Sequence, residues 1–473
     1  MFLLGNVTHS TFNYKCDIAP KKYDTAPKKM RNTKKQDELN SRVFLHTPWS
    51  TLVLISGMLL MGKLSGQSSQ DDFGVIPDQV YKESVRSVLF HRTGWELSYP
   101  VIELNSPDQV TLSFDDLTDE IKNYSYSLIH CDANWHPSTI QEEEYLEGFN
   151  TNQIYDYALS FNTYVGYVHY TLNIPNEDVR LRLSGNYIIN IYEDNDKEKV
   201  VMTKRFAVAE SLVSINAEVI RPITQPYMDS GHEIIFSVFY GQLNVVDPFT
   251  EIQARVCQNN RPDLVLNNLK PLIVRDGMLE YSAHSQNILP GGNEYRNFEM
   301  KNLKYQSGSV KNIEFVNPYY HVELFPDKPR QKKAYFFNED LNGRYFIDIQ
   351  GSGKKNVDAD YVFVHFTLLY DAPLTDGKVY VFGALTNWSI GNYNQMEYNL
   401  DRKAYEATLL LKQGYYNYEY VFVSDRTHVI DPFDIEGSHF EAENDYLIYI
   451  YYRPVNSRFD RLVGYQIINS LRQ

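Results

Sequence analysis

Short runs of β-branched and aromatic residues, separated by turn clusters, recur from Val85 to Tyr452, and few segments space their apolar residues as a helix would. Val179-Arg180-Leu181-Arg182-Leu183 alternates strictly, so it reads as a strand with one buried and one wet face. The chain has 38 tyrosines and 25 phenylalanines against 4 tryptophans and 9 methionines. Those side chains suit a pleated, half-buried surface, so the expected class is all-β. A chain of 473 residues exceeds one ordinary core, and three domains of roughly 100–150 residues each are expected.

Charge divides the chain. Residues 1–66 hold ten Lys/Arg and four Asp/Glu; the remainder has 35 basic and 56 acidic residues, a net of −21. A surface that acidic repels phosphate backbones, so no nucleic-acid partner is expected. The basic first part reads as a targeting region. Its apolar run Leu52–Met61 suits a signal-peptide core and falls short of the ~20 residues that a membrane-spanning helix needs. Met30-Arg31 with Lys34 and Lys35 forms the basic flank, and Ser65-Gly66 supplies small residues for cleavage. The expectation is a signal peptide over 30–66, with 1–29 an artefact of gene calling. A real extension before an uncleaved anchor is the alternative. Of the three cysteines, Cys16 lies in this region, and a disulfide between Cys131 and Cys257 is allowed but not implied.

Strand and turn signals place a first domain at 72–208, with an acidic loop or short helix inserted at 141–157. A second is placed at 209–328, up to the proline-stiffened Phe325-Pro326-Asp327-Lys328-Pro329-Arg330, and a third at 329–460. The third is expected to open near Tyr345–Ile349, to turn at Lys412-Gln413-Gly414 and to close with Tyr446–Tyr452.

Three clusters invite a chemical reading. Gly351 to Lys355 contains Gly353-Lys354, but a P-loop needs glycine at 348 and Ser/Thr at 355, where Asp348 and Lys355 stand. His130-Cys131-Asp132-Ala133-Asn134-Trp135-His136 is dense in potential zinc ligands. Strand neighbours point to opposite faces, so the preferred account packs Cys131 and Trp135 while Asp132 and Asn134 cap a turn. Asp431, Asp434, Glu436, His439 and Glu441 resemble a glycosidase set only in composition, and a solvated acidic loop explains them. No catalytic residue, metal, cofactor or small-molecule substrate is expected.

Val379-Tyr380-Val381-Phe382-Gly383, the turn Ala384-Leu385-Thr386-Asn387-Trp388 and the later His428-Val429-Ile430-Asp431-Pro432 resemble the early-set immunoglobulin-like modules that bind glycogen and starch. Such modules hold sugars against two tryptophans. Trp388 fills the first position, His428 stands at the second, and Leu385 replaces the usual phenylalanine. Trp388 is therefore a vestigial glycan or partner contact, or packs its own turn; one ring seldom holds a sugar.

Ser127-Leu128-Ile129-His130-Cys131-Asp132-Ala133-Asn134-Trp135, Gly185-Asn186-Tyr187, Asp358 to Phe366 and the Gly383 to Trp388 turn carry a wider resemblance, over about Phe73 to Pro454. It is to the exported plug proteins of the type 9 secretion system. The resemblance implies a non-enzymatic periplasmic protein, peripheral to the outer membrane, that closes the inner mouth of a large outer-membrane β-barrel translocon. Similar strand spacing in all three parts suggests the fold, β-sandwich domains in series, immunoglobulin-like or early-set. A cell-envelope glycan-binding protein using the third domain is the rival.

Overall fold

The computed structural model describes residues 74–471 apart from 119, 283–284 and 352. The targeting region expected over 1–66, and Ser352 of the glycine-lysine loop, lie outside the described residues. The regular structure of the described chain is almost entirely strand, arranged as three β-sandwiches.

The first sandwich packs the sheet Val85–Arg92, Val110–Asp116, Val168–Ile174, Asp156–Leu159 against one centred on Tyr124–Cys131, Gly185–Glu193 and Val200–Ala209. Val110, Leu112 and Phe114 alternate into its core, where Phe114 stacks on Tyr170 at 5.2 Å and Tyr187 on Phe206 at 5.3 Å. The segment 141–157 does open with a short helix, Glu142–Tyr145. It then becomes strands at Leu146–Gly148, Asn152–Gln153 and Asp156–Leu159 rather than an acidic loop.

Two strand groups depart from their expected places. Val310–Val316 and Tyr319–Leu324, expected in the middle domain, form the edge of a third-sandwich sheet, where His321–Glu323 runs parallel to Phe363–His365. The third sandwich accordingly opens at Arg296–Glu299, which pairs with Gly414–Ser424, and not at Tyr345. Tyr446–Tyr452, expected to close the third domain, lies in Asp445–Tyr452 and pairs with Ile252–Gln258 of the middle one, with Arg461–Asn469 beyond it. The third sandwich is thus inserted into the middle one, between Ile288–Pro290 and Asp445–Tyr452.

The unbroken apolar character of that strand has a physical cause. Tyr446, Ile448, Ile450 and Tyr452 face the middle core, while Leu447, Tyr449 and Tyr451 face a second cluster with Tyr99, Val101, Ala207 and Ala209 of the first sandwich. Both faces are covered, so neither needs polar residues.

Candidate functional site at the junction of the three sandwiches

The tryptophans singled out in the sequence, Trp135 and Trp388, line one cavity of about 180 Å³ where the three sandwiches meet. Trp135 reaches it from the turn after Tyr124–Cys131. Asp132 builds that turn: its Oδ1 accepts from the backbone N–H of Asn134 (2.8 Å) and of His136 (3.0 Å). Trp388 follows the 3-10 turn Ala384–Thr386. Both have left-handed backbone, with φ of +71° and +53°, a conformation unfavourable for a bulky side chain and retained only where the surroundings fix it. Arginines supply that fixation. The Arg205 guanidinium lies 4.7 Å from the Trp135 ring and that of Arg261 5.0 Å from Trp388. Trp388 also presses on Gly343, where φ is +80° and a Cβ would stand 2.3 Å from the indole.

The cations around the cavity join the sandwiches. Arg344 of the third donates to Asp445 of the middle at 3.3 Å and to the Leu97 carbonyl of the first, and covers the Tyr99 ring at 4.7 Å. The Tyr99 hydroxyl donates to the same Asp445 carboxylate at 2.8 Å, so one carboxylate gathers all three bodies. Arg255 donates to the Ala133 carbonyl at 3.1 Å, Tyr451 to Asn186 at 2.9 Å, and the Ala133 N–H to Asp460 at 2.8 Å. Arg261, buried, is held by Asp263 (2.8 Å), Glu419 (2.7 Å) and the Tyr295 hydroxyl (2.8 Å). Burial opposes its charge, but the two carboxylates outweigh burial and keep it protonated.

A second lock joins the first and third sandwiches directly. Buried Asp115 accepts from the Lys412 ammonium (2.6 Å), the Tyr361 hydroxyl (2.6 Å) and His169 Nδ1 (2.7 Å). Burial alone would raise the Asp115 carboxyl; Lys412 and His169 hold it below the usual range. The turn read at Lys412-Gln413-Gly414 is present, yet Lys412 points inward.

The other expected site residues go to structural places. His130 and Cys131 face opposite sides of their strand. His130 Nε2 donates to the Ser184 carbonyl (3.1 Å), so Nδ1 accepts from Ser138 (2.8 Å), and burial lowers the ring to about 4. Cys131 and Cys257 are free thiols, each pushed up to about 12 by burial, which makes them poor nucleophiles. In the carboxylate cluster Glu441 is exposed, but Glu436 is not the solvated residue expected. It is buried, gripped by Arg296 (2.9 Å) and Arg330 (2.7 Å), which overcome its burial and hold it at about 2. His428, in the second sugar position of the early-set pattern, is exposed, while Trp388 packs with Phe382 and Ile430. Sequence reasoning missed the arginines. Arg205 and Arg344 stand in unremarked segments and Arg261 in a stretch, Gln258 to Asp263, that reads only as a turn cluster, and nothing local marks a cation that will be buried by another domain.

Comparison with known proteins fits this architecture. A profile for the type 9 secretion system plug protein 1st domain matches residues 85–210, the span of the first sandwich. The crystal structure, at 2.30 Å, of a hypothetical protein from Parabacteroides merdae ATCC 43184 is similar with a TM-score of 0.80 and 36% identity. The match covers 83% of this chain and 98% of that one. No curated protein matches. On the first sandwich and its sequence, the chain belongs to the type 9 secretion system plug protein family.

Proposed function

We propose that this protein is a non-enzymatic periplasmic plug that seats on the periplasmic opening of the large outer-membrane barrel of type 9 secretion and occludes it. Family membership ties the chain to type 9 secretion and to the cell envelope; the occluding role is our reading. The observation that carries it is the cross-locking of three sandwiches by an inserted topology and buried charges. Occluding a wide pore requires a body that holds its shape, and beads on flexible linkers would not do so. The rival glycan reading loses its platform, because one face of Trp388 is taken by Arg261.

Deletion of the gene tests the proposal. The deletion strain should become sensitive to a large antibiotic such as vancomycin, and sensitivity should vanish when the barrel is deleted too. Equal sensitivity of both strains would locate the defect in general envelope integrity and defeat the plug reading.

A further inference from the structure

The first sandwich is left open along one edge. Asp156–Leu159 is the last strand of its sheet and pairs only with Val168–Ile174, through Asp156↔Thr171 to Leu159↔Val168. The Ser160 N–H donates to the Tyr167 carbonyl at 2.9 Å. Even-numbered residues therefore turn their backbone groups inward, and Tyr157 and Leu159 direct N–H and C=O to the free edge. Their side chains continue the core-facing row of Val168 and Tyr170, both buried. The opposite sheet ends at Asn152–Gln153 and leaves this row uncovered: Tyr155, Tyr157, Leu159 and Phe161 are 44–74% exposed. Tyr164 extends the patch onto the third sandwich by its ring contact with Phe315 at 4.8 Å.

From this geometry we infer that the edge 155–159, beyond which the Phe161 N–H donates to the Val357 carbonyl of the third sandwich at 2.9 Å, is the docking surface for an extended strand contributed by the barrel partner. The stretch from Phe149 to Tyr164 has one charge, Asp156, and no lysine or proline. It thus lacks the lysines and prolines that ordinarily help to keep an edge strand unpaired. The exposed side chains of Tyr155, Tyr157, Leu159 and Phe161, with Tyr164 beside Phe315, make an apolar patch of the kind that marks a protein–protein interface. An extended segment is the occupant because it alone satisfies the outward backbone groups of Tyr157 and Leu159 while laying alternate side chains on the row. Charge disfavours a second copy, which would bring another Asp156 and another net-acidic body to the edge; an uncharged or basic segment complements it.

The partner's identity rests on the plug reading, and the experiment separates the two. Wild type and the double variant Tyr157→Lys/Leu159→Pro are each used to recover the barrel from detergent-solubilised outer membrane. A proline at 159 removes only an outward N–H, so the strand's own ladder stays intact. Circular dichroism and the melting temperature check that it does. Recovery should fall at least tenfold in the double variant and stay unchanged in Leu400→Lys, a control at another exposed apolar side chain. A photo-crosslinking amino acid at Phe161 should join the chain to the barrel in intact cells. Wild-type recovery in the folded double variant, or crosslinking of Phe161 to lipid or to a second copy, would overturn the edge assignment and leave the plug reading standing. If wild type itself recovers no barrel, the plug reading falls and the assignment falls with it.

Discussion

The first and third sandwiches are attached to the middle one by different means. The third is inserted, so the chain enters it after Ile288–Pro290 and leaves it before Asp445–Tyr452, and two covalent crossings hold it. The first is tied by a single crossing between Val200–Ala209 and Ser214–Ile220. Its other attachments are non-covalent: the Asp115–Lys412 pair, the Phe161 N–H on the Val357 carbonyl and the Tyr164 and Val165 N–H groups on Asp360 to the third sandwich, and Tyr99, Ala133 and Asn186 to the strands that complete the middle one. Where the backbone gives one tether, buried ionic and polar groups supply the rest. Such groups fix position strongly, because losing one partner leaves the other charged and dry.

The largest effect expected from breaking this contrast comes at Lys412. Lys412→Met should cost about 3 kcal/mol in urea unfolding, since the buried Asp115 carboxylate would lose its ammonium partner and keep only His169 and the Tyr361 hydroxyl. The pair replaced together, Asp115→Leu with Lys412→Met, should recover most of that. Limited proteolysis of the single variant should cut first at the 210–213 crossing. A loss below about 1 kcal/mol would show that apolar contact alone holds the first sandwich.

Acid sharpens the comparison. His232 of the middle sandwich donates from Nε2 to the Phe440 carbonyl (2.6 Å) and so accepts from Tyr446 at Nδ1 (2.6 Å), a neutral ring tying down the returning segment. Burial holds it, like His130 of the first sandwich, at about 4. A folded value below the unfolded 6.5 means that the unfolded chain takes up protons first. Stability is therefore complete above pH 6.5 and falls as pH drops towards 4, by at most about 3 kcal/mol per histidine. Urea midpoints at pH 7.5 and 4.5 should show this fall, and His232→Gln should flatten it. An unchanged slope in that variant would assign the acid sensitivity elsewhere.

Smallest is the effect at the cavity wall. Gly343→Ala must displace the Trp388 ring or strain a left-handed residue, a cost of about 1–2 kcal/mol with a shift in tryptophan emission. In the unaltered protein, titration with maltoheptaose should leave that emission unchanged below millimolar ligand. Saturation that is abolished by Trp388→Ala would restore the glycan reading.

Strand character was legible in the sequence wherever alternation or continuous apolar runs occurred, as at Val110–Phe114 and Tyr446–Tyr452. Partner choice was not, because periodicity reports how a strand's faces are covered and not by which sheet. Tyr446–Tyr452 looked like the end of the domain before it, and only its lack of a polar face hinted at neighbours on both sides. The candidate site was half visible. Trp135 and Trp388 stood out as rare residues in turns, but their convergence depends on pairings between distant strands. Asp115 and Lys412 sit at strand ends beside turns, where charged residues are ordinarily solvated, so nothing local foretold their burial.

The inserted topology also has a consequence in time. Ile252–Gln258 is made early, but its neighbour Asp445–Tyr452 is almost the last strand of the chain, and the third sandwich intervenes. A polypeptide emerging from its amino end can finish the third sandwich while the middle one still waits, half its core unmatched, for the closing pair of strands. The seams that use Asp445, Tyr451 and Asp460 must wait as well. Until its last segment arrives the chain is an unfinished body, and shape and attachment are completed together in one final step.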